Sequence, residues 1–135
     1  MASRVFRSET DKSIAVFISD LGKTMALRGF IIHNEDKMEM IRHFGHHGVE
    51  LAEGFDLNMI QVCSPKKSAL SMMENLERAV LLPKFIVVFS KEGKTQIRML
   101  LLGKKLVADL VDDEKFPALE TDDYNNLLLA IEEAL

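Results

Sequence analysis

The sequence has one cysteine, three prolines, one tyrosine and no tryptophan. A lone Cys63 excludes an internal disulfide framework. Met1–Lys12 is polar and lacks the apolar core of a secretory signal. Both features predict a reducing, cytoplasmic location. Apolar runs such as Phe85–Phe89 and Leu127–Ile131 fall far short of the roughly 20 residues a bilayer requires, so no membrane role is expected. No dense Lys/Arg stripe is present, and there is little aromatic surface for stacking bases. Nucleic acid is therefore not an expected partner. Phosphate-loop, dinucleotide, H-E-x-x-H and G-x-S-x-G motifs are all missing. No complete catalytic constellation remains, which points away from an enzyme and implies no cofactor.

What is present fits one globular domain spanning residues 1–135, with 47% hydrophobic and 28% charged residues. The net charge is −4, and residues 104–135 hold nine of the 21 acidic side chains but three of the 17 basic ones. Ile14, Phe17, Ile18, Leu21 and Met25 follow the spacing of an amphipathic helix, capped by Ser8 or Thr10 and ended by Gly29. A short strand at Phe30–His33 precedes a second helix, capped by Asn34 or Asp36 and stopped by Gly45. Phe55–Cys63 alternates as a strand. Ser64-Pro65 then opens a helix, with serine as its cap, expected to bury Ala69, Leu70, Met73 and Leu76. Lys84–Ser90 and Thr95–Leu102 form a hairpin through Glu92-Gly93, and the apolar first arm belongs at the centre of the sheet. A short helix follows at Lys104–Val111, then an acidic loop at Asp112–Leu119, then a last helix from Thr121. The order predicts an α+β two-layer sandwich with one mixed sheet of four to five strands covered by helices and a hairpin near residues 84–102.

Gly29-Phe30, Val62-Cys63-Ser64-Pro65 and Leu81-Leu82-Pro83-Lys84 occur in an ordered set. In this order and spacing they resemble the domain of unknown function 302 family, a small bacterial and archaeal α/β domain. The likeness covers Ile14 to Leu102. Where the family favours Cys-Asn-Pro, Ser64 replaces Asn. Where it favours Leu-Leu-Pro-Cys, Lys84 replaces Cys and removes any two-thiol chemistry there. The resemblance implies a compact, often dimeric fold and no particular reaction.

Two groups of residues carry chemistry. Cys63 is placed at a strand end just before a helix, where amide N–H groups and the helix dipole favour a thiolate. Ser64, Lys66 and Lys67 add a hydroxyl and positive charge, so Cys63, Ser64, Lys66 and Lys67 form a candidate site for a small anionic ligand. A buried cysteine beside an ordinary capped helix explains the same residues. His43, His46 and His47 make an H-x-x-H-H pattern that can hold a transition metal. An exposed loop with a histidine near a helix C-terminus explains it as well. The expected function is a small binding or interaction module. The alternative is a thiol-dependent protein, a persulfide carrier or redox protein, acting through Cys63. Its expected partners are a small anionic ligand, another protein, or a second copy of itself. A homodimer would bury an open sheet face, drawing on Ile97, Met99 and Leu101 or on Leu100 and Leu102.

Overall fold

A computed structural model describes residues 1–135. The chain runs β1 (Arg4–Thr10), α1 (Ile14–Ala26), β2 (Ile31–Ile32), α2 (Met40–His46), β3 (Leu57–Cys63) and α3 (Pro65–Glu74). A 3₁₀ segment (Leu76–Leu81) leads into β4 (Lys84–Lys91), β5 (Lys94–Leu101), α4 (Lys104–Leu110) and α5 (Phe116–Ala134). Five strands form one sheet in the order β1-β5-β4-β3-β2. The α+β sandwich is as expected, and β4 is the middle strand. The sheet is antiparallel throughout and not mixed. Parallel neighbours need a crossover from one end of the sheet to the other. Here the excursions through α2 and through α3 both return the chain to the end it left.

Helices α1 and α5 cover one face of the sheet. Ile60 and Val62 of β3, Ile86 and Val88 of β4, and Ile97, Met99 and Leu101 of β5 point into that layer. They meet Phe17, Leu21 and Met25 of α1 and Leu127, Ala130 and Ile131 of α5. The β4–β5 hairpin turns through Glu92 (φ 55°) and Gly93 (φ 77°). Two successive residues of positive φ match the right-handed twist of the strands they join. The C-terminal end of α5 is fastened from two sides. Thr24 Oγ1 donates to the Ala130 carbonyl at 2.8 Å, and Lys12 Nζ donates to the Ala134 carbonyl at 2.7 Å. A cation there also complements the helix dipole. No helix is long and apolar enough to cross a membrane.

Several local expectations change. Ser13 caps α1, accepting from the Val16 amide at 3.2 Å, because Ser8 and Thr10 are drawn into β1. Glu39 caps α2, while Asn34 instead bonds the backbone of Met59 and Gln61 in β3. Gly45 does not stop α2, which runs on to His46. α5 starts at Phe116, five residues earlier than the sequence suggested. Pro117 sits in the first turn, where its missing N–H has no partner to lose. Asp113 Oδ1 accepts from the amides of Lys115 and Phe116 at 3.0 and 2.9 Å. The leucine edge of α3 is not buried: Leu70 is 61% and Met73 75% exposed, and Ala69 and Leu76 also face solvent.

The two faces of the β4–β5 hairpin are also told apart. Ile97, Met99 and Leu101 are locked in the core, and Leu102 packs partly against it. Leu100, 61% exposed, lies on the opposite face with Val5 and Phe85. Met99→Ala is expected to cost about 2–5 kcal/mol in urea unfolding, the range for truncating a buried long side chain. Leu70→Ala should stay within about 0.5 kcal/mol. Equal losses at the two positions would contradict this assignment of faces.

Candidate functional site

Strands β3 and β4 lie side by side, with Val62 opposite Lys84. From Cys63 the chain turns through Ser64 into α3, whose apolar residues Leu70 and Met73 stay largely exposed. Between α3, the strand ends and the first turns of α5 lies a cavity of about 260 Å³. Phe30, Leu70, Leu82 and Phe116 supply apolar wall, and Arg78, Lys84 and Glu120 are its buried charges.

Both charged residues reach the interior for simple reasons. Lys84, Ile86 and Val88 alternate along β4, so the lysine shares the face of two core residues. Glu120 lies four residues from both Phe116 and Tyr124, on the buried stripe of α5. Lys84 is 8% and Glu120 3% exposed. Lys84 Nζ lies 2.7 Å from Glu120 Oε2 and 5.2 Å from the centroid of the Tyr124 ring. The ion pair is close but poorly aligned, and Oε2 is buried without a hydrogen bond of acceptable geometry. Burial pushes the Glu120 carboxyl above its ordinary range, and the nearby ammonium offsets this only in part. Burial, reinforced by the Glu120 charge, pushes the Tyr124 hydroxyl up to about 12.

A second buried cation pins the far wall. Arg78 is nearly inaccessible, and its Nε and Nη2 donate to the two oxygens of Asp113 at 2.6 and 3.0 Å. Its Nη1 also donates to Ser71 Oγ at 3.0 Å, and its guanidinium lies 5.4 Å from the centroid of Phe116. The Arg78 fork and the Asn75 amide hold the Asp113 carboxyl well below the usual range. This network fastens the 3₁₀ segment to the start of α5.

The structure gathers three of the four ligand-site residues expected from sequence. Cys63, half-buried, Ser64 and Lys67 line the cavity, and Lys67 reaches Asp123 at 3.5 Å. Lys66 points to solvent outside it. Ser64 is not a side-chain cap: its hydroxyl accepts from no helix amide, and only its carbonyl joins the first turn. The three-histidine metal set is not assembled. His43 and His47 meet edge to face at 5.2 Å, but no three His, Cys, Asp or Glu side chains are placed together to hold a metal. Ligand exchange would need a third donor that α2 and its following turn do not bring in. Lys84 and Glu120 were not singled out from sequence, although both carry a signal. A charge falls on the inward phase of an apolar strand, and another on the inward stripe of a helix.

Removing either member leaves the other charge buried and uncompensated. Lys84→Met and Glu120→Leu are each expected to cost about 3–5 kcal/mol, and the double variant should regain most of that loss. Urea unfolding of the three variants measures the cycle. Additive losses would show that the two side chains do not act as a pair.

The sequence profile of the family described as domain of unknown function DUF302 matches residues 7–134. A crystal structure of an uncharacterized conserved protein DUF302 from Bacillus stearothermophilus is similar, with a TM-score of 0.81 at 19% identity. The alignment covers 97% of this chain and 98% of that one, and at this identity it shows the fold alone. No curated protein matches the chain. The chain belongs to the DUF302 family of domains of unknown function.

Proposed function

We propose that the protein is a binding module for a small organic molecule seated in the cavity between α3 and α5. One observation carries this reading: a cavity with apolar wall holds a buried Lys84–Glu120 ion pair, 2.7 Å apart and imperfectly aligned. Ligand sites combine mostly apolar walls with a few convergent polar groups, usually in volumes of about 300–1,000 Å³. At about 260 Å³ this cavity suits a small ligand. The anion foreseen at Ser64–Lys67 would share the space with Glu74, Glu120, Asp122 and Asp123. Lys67, Arg78 and Lys84 line it too, so the charges nearly balance, which favours a neutral polar head on an apolar body. Cys63 borders the same cavity, so the thiol-dependent alternative uses the same site. A single free thiol fits a reducing cytoplasm.

A second reading concerns the uncovered face of the sheet, where Val5, Ile31, Phe85 and Leu100 are exposed. Arg98 lies over the Phe89 ring on the same face, 5.1 Å from its centroid, and bonds Gln96, so the apolar strip is bordered by polar side chains. A two-fold axis through this strip would pair it with itself, and a second copy is the partner we propose. The interface residue is Leu100, not its core-facing neighbours.

Hexanol, hexanoate and hexylamine at millimolar concentration test the first reading by NMR. Hexanol is expected to shift the amides of Val62–Ser68 and of Glu120. Ser68→Phe, which fills the cavity, should weaken its binding at least tenfold. Shifts that lie elsewhere, or survive Ser68→Phe unchanged, would remove the cavity as the site. Light scattering at micromolar concentration tests the second reading. A mass of two chains is expected, falling to one chain in a folded Leu100→Asp variant. A single-chain mass for the unaltered protein would end the dimer reading.

A further inference from the structure

We infer that Lys84 is the reactive group of this cavity and that its ligand class is a small aldehyde or ketone, captured as an imine. This rests on the cavity being a binding site and names what it would bind. Lys84 alone among the lysines combines three features. It is buried against apolar wall, it faces a cavity, and it has a carboxylate within proton-transfer distance at 2.7 Å. Desolvation makes a lysine amine nucleophilic, and a positioned carboxylate can take up and return the proton that the addition and dehydration move. Lys105, in contrast, is fully solvated on α4 and pairs only with Asp109 one turn along.

The balance of the step suits the site. The Lys84 ammonium gives one proton to the Glu120 carboxylate and becomes a neutral amine. Its nitrogen lone pair attacks the carbonyl carbon, and the carbonyl π pair moves to oxygen. A proton passes from nitrogen to that oxygen, giving a carbinolamine. Glu120 then returns its proton to the hydroxyl, the carbon–oxygen bond breaks, and water leaves. The product is an iminium cation beside a Glu120 carboxylate, so nothing is oxidised or reduced. One buried cation has replaced another. The pairing with Glu120 and the contact with the Tyr124 ring are therefore both kept, and no charge is left uncompensated. Burial, which raises the Glu120 carboxyl, eases the first proton transfer.

The test treats the full chain with butanal and sodium cyanoborohydride, which fixes an imine as a butyl group on nitrogen. Site-resolved peptide mass spectrometry compares Lys84 with Lys105. Lys84 is expected to label at least tenfold faster, and excess hexanol should slow Lys84 at least tenfold without slowing Lys105. Glu120→Gln should slow Lys84 by a similar factor while leaving Lys105 unchanged. Where that variant does not fold, hexanol protection of the unaltered chain decides the question. Labelling of Lys84 no faster than Lys105, with hexanol shifts still present, overturns imine capture and leaves the binding site standing. Loss of both signals overturns the binding site itself.

Discussion

The Lys84–Glu120 pair joins the middle strand of the sheet to the first turns of the longest helix, and both partners are buried. Such a contact is unforgiving. Its attraction must offset two desolvation costs, and it does so only while both charges stay in place. Here the alignment is imperfect and one carboxylate oxygen is without a hydrogen bond. The pair therefore fixes where α5 begins to cross the sheet without filling the space around it. A hydrophobic pair of equal volume would close that corner more simply. The corner stays open, and the cavity is the result.

The wall opposite is built on the same terms. The helix α3 leaves the sheet after Cys63 and does not bury its leucine edge. It is tethered through Arg78 in the 3₁₀ segment, whose fork grips Asp113 and whose face lies against Phe116. Bidentate Arg–carboxylate bonding fixes direction as well as distance. It therefore holds α3 at a set separation from α5, where apolar packing would have drawn the two together. Asp113 does two things at once: it anchors Arg78 and accepts from the amides that begin α5. The position of the cavity's outer wall and the start of its inner wall thus depend on one carboxylate.

Much of this fold is legible in the sequence wherever period and punctuation agree. Ile14, Phe17, Ile18, Leu21 and Met25 mark α1 because a covered helix needs that stripe. Glu92-Gly93 marks the hairpin because two positive φ values are costly elsewhere. Errors arise where one residue has two uses. Pro117 reads as a loop residue, but a first helical turn accepts it equally well, so α5 seemed to start at Thr121 and Glu120 fell outside its stripe. The apolar spacing of Leu70, Met73 and Leu76 is a true helix signal. Spacing says which residues share a face and not what covers that face. Cys63, Ser64 and Lys67 were found by their place at a strand–helix junction. Lys84 reads in the sequence only as the residue that stands where the family favours a cysteine, and its partner Glu120 is 36 residues away, so the pair is visible only in the fold.

Each face of the sheet carries a few residues of the kind usual on the other. The covered face of the sheet receives Lys84 and, from α5, Glu120, while the uncovered face displays Val5, Phe85 and Leu100. A chain stabilised for itself alone would place these the other way round, since burying charge and exposing aliphatic surface both cost free energy. The pairing offsets the first cost in part, and nothing in the fold covers the exposed aliphatic residues. An uncovered apolar strip is relieved by a partner surface, and an under-bonded buried pair by a ligand. The two lie on opposite faces of one sheet, and β4 contributes to both through alternate residues, Phe85 outward and Lys84 inward. Covering the outer strip would stiffen the strand that carries the inner lysine. The backbone under the cavity floor is then held in place by contacts that never touch the ligand.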